Sequence, residues 1–173
     1  GLIAHRIGTS RNVLVAHPGY LARAGEPRTP SDLVGHAALL YSLSSTGSRW
    51  ALTRDAKSET VRVSGPLKAN SSLALHQALL QGLGLARIPC FTVGNDLARG
   101  RLAQVLPAWR LPDQGLFALT TARDYLPRKT RAFIEFFRKR IGEPPYWESA
   151  LAACPRRRHR ERSTIPKGRR DRA

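Results

Sequence analysis

The stretch ANSSLALHQALLQGLGLARIP, from Ala69 to Pro89, carries the clearest structural pattern in the chain. It opens with an Asn and two Ser, residue types that cap the first turn of a helix by accepting backbone N–H groups. Apolar residues then recur at the spacing of one helical face, at Leu75, Ala78, Leu79 and Leu83. Gly82 and Gly84 predict a left-handed helix stop, and the apolar run Leu85–Ile88 predicts a strand.

Short helical and strand patterns alternate on both sides of this stretch. Upstream, we predict short helices over Tyr20–Arg23 and after Asp32, and strands at Val13–Ala16, Ala38–Tyr41, around Trp50 and at Val61–Val63. Downstream, we predict a strand at Leu116–Thr120 and a helix after Pro127. Alternation of this kind predicts an α/β fold.

The helix predicted after Pro127 is amphipathic. Its predicted apolar face consists of Phe133, Phe136, Phe137 and Ile141, and its charged face of Arg131, Glu135, Arg138 and Lys139. We expect the apolar face to need a partner to pack against.

Composition predicts one soluble domain without a metal or cofactor. The length of 173 residues suits a single core, and no apolar run reaches the roughly 20 residues that a membrane span needs. Cys90 and Cys154 belong to no metal-binding or disulfide motif, so we expect a reducing cytoplasm and a buried, structural Cys90. The first residue is Gly1 and not Met, so we expect a fragment.

Net charge gives a first functional hypothesis, binding to nucleic acid. The formal charge is +17, and residues 154–173 hold nine Lys or Arg against two acids. This composition predicts a disordered basic tail after the helix stop at Pro144 and Pro145. The rest of the chain has no zinc spacing and no interleaving of basic and aromatic residues. A nucleic-acid-binding protein acting through this tail remains an alternative.

Catalysis has no sequence support. None of the five His belongs to a metalloprotease motif, and neither a GxSxG nor a phosphate-loop motif is present. We therefore expect no catalytic residues. The corner Asn70, Ser71 and Ser72 differs, because a helix start offers free N–H groups and the positive end of the helix dipole to an anion. An ordinary helix cap explains the same residues.

Three segments in order resemble the LysR-type bacterial transcription regulators. They are VLVAHPGYLARAGEPRTPSDLVGHAALLYS at Val13–Ser42, VSGPLKANSSLALHQALLQGLGLARIPCFTVGNDLARGRLAQVLPAW at Val63–Trp109 and LPRKTRAFIEFF at Leu126–Phe137. The resemblance covers about Gly1 to Ile141. The resemblance is specific because the segments occur in the family's order and spacing. No single motif would be sufficient.

The resemblance implies an effector domain like a type 2 periplasmic binding protein, with a complete second subdomain and a partial first one. Residues 1–16 would end the first subdomain and form the first crossing strand, at Val13–Ala16. Residues 17–110 would be the second subdomain. Residues 111–143 would hold the second crossing strand, at Leu116–Thr120, and the return helix, and residues 144–173 the tail.

The same resemblance implies a binding site and partners. Matching positions give the effector-binding residues Thr9, Ser42, Asn70, Ser71 and Ser72. The expected ligand is a small organic molecule, and we expect it to be an anion. The complete regulator would bind DNA through a winged helix-turn-helix absent from this chain, form homo-oligomers and contact no membrane. A transport-type solute-binding protein is the second alternative, since it would share the fold.

Overall fold

The computed structural model describes residues 1–121 and 126–148. Within these ranges the strands are β1 Ile3–Ser10, β2 Asn12–Ala16, β3 Ala37–Tyr41, β4 Arg49–Arg54, β5 Lys57–Arg62, β6 Ser64–Ala69, β7 Leu85–Pro89, β8 Ala103–Val105 and β9 Gln114–Thr120. The helices are α1 Pro18–Ala24, α2 Ser72–Leu80, α3 Cys90–Ala98 and α4 Arg128–Ile141, with 3₁₀ turns at Pro30–Gly35 and Tyr146–Glu148. The predicted α/β alternation is confirmed. No helix in these ranges is both long and apolar enough to cross a membrane.

A five-stranded sheet in the order β6-β3-β7-β2-β8 forms the centre of the fold. Strands β6, β3 and β7 are parallel, and β2 runs antiparallel between β7 and β8. Both faces of the sheet are covered. The antiparallel β4–β5 hairpin contributes Trp50, Leu52 and Val61 to the core on one face, and α2 and α3 contribute Leu75, Leu79, Val93 and Leu97 to the core on the other.

Strand β2, which contains the predicted first crossing strand Val13–Ala16, lies inside this sheet. All four residues of Val13–Ala16 are buried, as expected for an apolar run covered on both faces. The strand that pairs with β9 is instead β1, antiparallel from Ile3 opposite Thr120 to Ser10 opposite Gln114. The β1 sequence is polar and half exposed, so it gave no apolar pattern. The division into subdomains at residues 16, 110 and 143 stays a prediction.

The stop after α2 is partly as predicted. Gly82 has a left-handed φ of 67°, which glycine adopts without strain. Gly84 does not have a left-handed φ. A glycine is needed there for a steric reason, because a Cβ would lie 2.2 Å from the carbonyl oxygen of Ala37 in β3. Leu83 follows the end of the helix and is exposed, so its predicted place on the buried helix face is wrong. The helix ends at Leu80, although apolar residues continue at helical spacing as far as Leu83.

Helix α4 packs on the β1–β9 ribbon with only part of its predicted apolar face. Ile141 is buried, and its Cγ2 lies 3.0 Å from the position that a Cβ would take on Gly8. Ile134, two helical turns earlier, is the other buried residue of this helix. Phe133, Phe136 and Phe137 are exposed, so the predicted grouping of Ile141 with them is wrong. The absence of a side chain at Gly8 in β1 lets Ile141 approach the strand, while the three phenylalanines stay exposed.

The chain continues in ordered structure beyond the predicted end of the domain. Pro145 is buried, and the ring of Trp147 meets that of Phe91 on α3 edge to face, with centroids 5.8 Å apart. The described chain thus includes a 3₁₀ turn at Tyr146–Glu148 within the predicted tail, whose boundary at residue 144 stays a prediction. The predicted disorder and Cys154 fall in residues 149–173, outside the described residues.

Candidate functional site

The carboxyl ends of the parallel strands bring two of the predicted site segments together. Tyr41, the last residue of β3, lies opposite Ala69, the last residue of β6. The backbone N–H of Ser42 donates to the carbonyl oxygen of Ala69 at 2.8 Å. Ser42 and Asn70 are therefore the first residues to leave the sheet at the same edge, which is where ligands bind in open α/β sheets.

The start of α2 at this edge has backbone N–H groups to offer. Ser71 is the N-cap, with its Oγ accepting from the N–H of Ala74 at 3.4 Å, and its carbonyl oxygen accepting from Leu75. The first turn of the helix contains no acidic residue. Within the described chain no hydrogen bond occupies the N–H groups of Ser72 and Leu73. This corner can receive an oxygen ligand, most favourably one with a negative charge.

Thr9 lies in a different place from the other predicted site residues. It pairs with Gly115 on β9 and is half-buried. It lines a cavity of about 560 Å³ between β1 and the end of α4, whose wall includes Arg6, Gly8 and Arg138. The chain reaches the sheet edge soon after, since Asn12 of β2 pairs with Pro89 at the carboxyl end of β7. Thr9 thus lies on the approach to this edge.

A second cavity, of about 450 Å³, opens beside Ser42 and was not predicted from the sequence. Its wall is formed by hydroxyl and basic residues, with Ser42, Ser44, Ser45, Thr46, Gly47, Ser48, Arg49, Arg62 and Lys68 lining it. The hydroxyl-rich run from Ser42 to Ser48 was the available sequence signal. Only the fold shows that Arg62 and Lys68 face the same space.

A buried carboxylate links α2 to α3. Asp96 is 3% exposed, and its Oδ2 lies 2.6 Å from the Nε2 of His76 on α2. Its Oδ1 lies 2.5 Å from Arg101 Nη2, an ion-pair contact whose angle is not that of a hydrogen bond. His76 and Asp96 are 20 positions apart in the sequence and meet only in the fold. Both helices pack on the same face of the sheet, and this cluster connects them.

Cys90 is buried, as predicted. Burial raises the pKa of its thiol, and the nearby Glu148 carboxylate raises it further. A raised pKa keeps the sulfur protonated and weakly nucleophilic at neutral pH. In residues 1–121 and 126–148, no three His, Cys, Asp or Glu side chains gather as they would around a metal ion.

Sequence comparisons agree with this architecture. The family model of the LysR substrate binding domain matches residues 1–142. The HTH-type transcriptional regulator PtxR of Pseudomonas aeruginosa is 39% identical over 151 residues, which cover 84% of this chain and 47% of PtxR. The HTH-type transcriptional activator AaeR of Escherichia coli is 30% identical over 133 residues, which cover 77% of this chain and 43% of AaeR. The chain spans slightly under half the length of these relatives.

Solved structures give the same family. The regulatory domain of CrgA, a LysR-type transcriptional regulator from Neisseria meningitidis, superposes with a TM-score of 0.71 at 27% identity, covering 82% of this chain and 70% of that one. Full-length AphB, the Vibrio cholerae virulence activator, superposes with a TM-score of 0.69 at 30% identity. The match covers 80% of this chain and 48% of AphB. The predicted fold, like a type 2 periplasmic binding protein, is confirmed, and the two alternative functions gain no support. The chain belongs to the LysR-type transcriptional regulators and carries their substrate-binding, or effector-binding, domain.

Proposed function

We propose that this domain binds a small organic anion at the sheet edge formed by Ser42 and Asn70–Ser72, with Thr9 on the approach. Binding there would control DNA binding and transcription by a winged helix-turn-helix outside these 173 residues. The observation that carries the proposal is the pair of unoccupied N–H groups at the start of α2, beside the Ser42 corner. The relatives, which are transcriptional regulators, support the control step.

An anion suits this corner better than a neutral ligand. Each N–H bond to a charged oxygen contributes about 1.5–3 kcal/mol, and the helix dipole adds about 0.3–1 kcal/mol. Asn70 and Ser71 are exposed and Ser72 is half-buried, so a ligand can reach the corner. Carboxylates are the simplest organic anions with this oxygen geometry.

The test is the substitution Ser72→Pro, compared with Ser72→Ala. Ser72 is the first residue of α2, a position where proline is well tolerated. Proline removes the Ser72 N–H, and the φ of −119° and ψ of 120° at Ser71 suit a residue before proline. Both variants lack the hydroxyl, so they differ only in the backbone donor and the ring. We expect Ser72→Pro to weaken binding of the best carboxylate, found by calorimetric screening, about tenfold more than Ser72→Ala.

Circular dichroism and melting curves provide the control for this comparison. Both variants should keep the helical signal of the unsubstituted chain. Equal affinity of the two variants for the carboxylate would contradict the proposal, because the backbone donor would then play no part.

The remaining parts of the proposal concern the complete regulator. We propose that it works in the cytoplasm, acts by binding and not by catalysis, and forms homo-oligomers. The exposed Phe133, Phe136 and Phe137 on α4 support association, since an apolar surface of this kind marks an interface.

A further inference from the structure

The cavity beside Ser42, here called the basic pocket, collects positive charge without a compensating acid. Arg49, Arg62 and Lys68 line it, and none of its lining residues is Asp or Glu. Arg49 and Arg62 lie directly opposite each other on β4 and β5. Like charges in this position destabilise a strand pair. Among the described residues, none of these three cations forms an ion pair.

A fourth cation, Arg87, lies behind the pocket wall. It is half-buried on β7, and burial lowers the pKa of its guanidinium. Arginine remains charged nevertheless. Its Nη2 donates to Ser44 Oγ at 2.6 Å and its Nη1 donates to Thr46 Oγ1 at 3.2 Å. In the described part of the chain it contacts no carboxylate, so hydroxyl groups alone receive its hydrogen bonds.

These hydrogen bonds set the direction of the hydroxyl protons. A guanidinium only donates, so Ser44 and Thr46 must accept from it and keep their own protons for other acceptors. One proton serves the contact between Ser44 Oγ and Thr46 Oγ1, which are 3.1 Å apart. The other is free, and both residues line the pocket. The pocket wall therefore presents donors and cations.

We propose that the basic pocket binds a tetrahedral oxyanion, either inorganic phosphate or sulfate or the phosphate ester of a metabolite. Donors from β4, β5, β6 and the loop after β3 approach from several directions, which suits a tetrahedral group with several charged oxygens. The site adjoins the effector edge through Ser42 alone. It uses none of the α2 donors, so it can exist whether or not the effector proposal is correct.

The experiment is a phosphate titration of the ¹⁵N-labelled 173-residue chain at constant ionic strength, followed by amide chemical shifts. We expect saturable shifts concentrated at Ser44–Arg49. The double variant R62Q/K68Q should weaken phosphate binding about tenfold, since it removes two of the cations that line the pocket. Lys57→Gln, at the far end of β5, should leave it unchanged. The Arg-rich tail is present in all three chains, so its contribution cancels.

Further arms of the titration separate the sources of the anion. Sulfate and glycerol phosphate replace inorganic phosphate, and tighter binding of glycerol phosphate would identify an esterified ligand. Equal binding of all three would identify the free anion, and both results support the site. Shifts that match those produced by chloride would overturn the proposal. So would equal loss of affinity in Lys57→Gln and R62Q/K68Q, because the effect would then be one of general charge.

Discussion

Asp96→Ala is expected to lower the free energy of unfolding by about 2–4 kcal/mol, because it removes the shared acceptor of a buried cluster. His76 is left without its 2.6 Å partner, and this polar contact between α2 and α3 is lost while their apolar packing remains. Alanine is the better helix former, so the loss cannot come from helix propensity within α3. Urea denaturation followed by circular dichroism measures the change.

Arg101→Gln is the matched control for this substitution. Arg101 contacts the same carboxylate, but its side chain is 53% exposed and water screens the pair. We expect its loss to cost less than about 1 kcal/mol. If Arg101→Gln costs as much as Asp96→Ala, then the ion pair and not the buried hydrogen bond to His76 stabilises the cluster.

Gly84→Ala is expected to destabilise the chain by about 3 kcal/mol through overpacking between β3 and β7. The added Cβ would lie 2.2 Å from the carbonyl oxygen of Ala37 and 3.3 Å from Leu39 Cδ2. A backbone carbonyl cannot rotate away as a side chain can, so the two strands must separate. Thermal unfolding should show a lower Tm, and hydrogen exchange in β3 should become faster.

Gly35→Ala provides the control, because no atom lies within 4 Å of the added Cβ and its φ is not left-handed. Reduced entropy of the unfolded chain should leave this variant unchanged or slightly more stable. A Gly84→Ala variant as stable as Gly35→Ala would mean that β3 and β7 are not as close as described.

The sequence predicts elements well where both faces of a strand or one face of a helix are apolar. Val13–Ala16 and Leu85–Ile88 were recognised for this reason, and so was α2. Strand β1 was missed because His5, Arg6 and Gly8 interrupt any apolar pattern, although long-range pairing with β9 makes it a strand. Ile141 of α4 packs against Gly8 of that strand, so the sequence of the helix alone did not predict which face is buried.

The candidate site was predictable only in part. A capped helix start is visible locally, and this placed Asn70–Ser72 correctly at the start of α2. The hydrogen bond that joins Ser42 to Ala69 depends on the parallel pairing of β3 with β6. The residues that neighbour each strand in the sequence do not determine this pairing. Arg87 and Ser44 are far apart in the chain and meet only through the sheet order. The family resemblance predicted Ser42 as a site residue, whereas no sequence pattern indicated a role for Arg87.

The most direct test of effector binding at the sheet edge is an amide chemical-shift map of the ¹⁵N-labelled chain with its best carboxylate ligand. We expect saturable shifts at Ser42 and at Asn70–Leu73, with smaller changes at Thr9, and no comparable change across the β4–β5 hairpin. Shifts confined to the hairpin, or to residues 149–173, would contradict the assignment of the effector site to this edge.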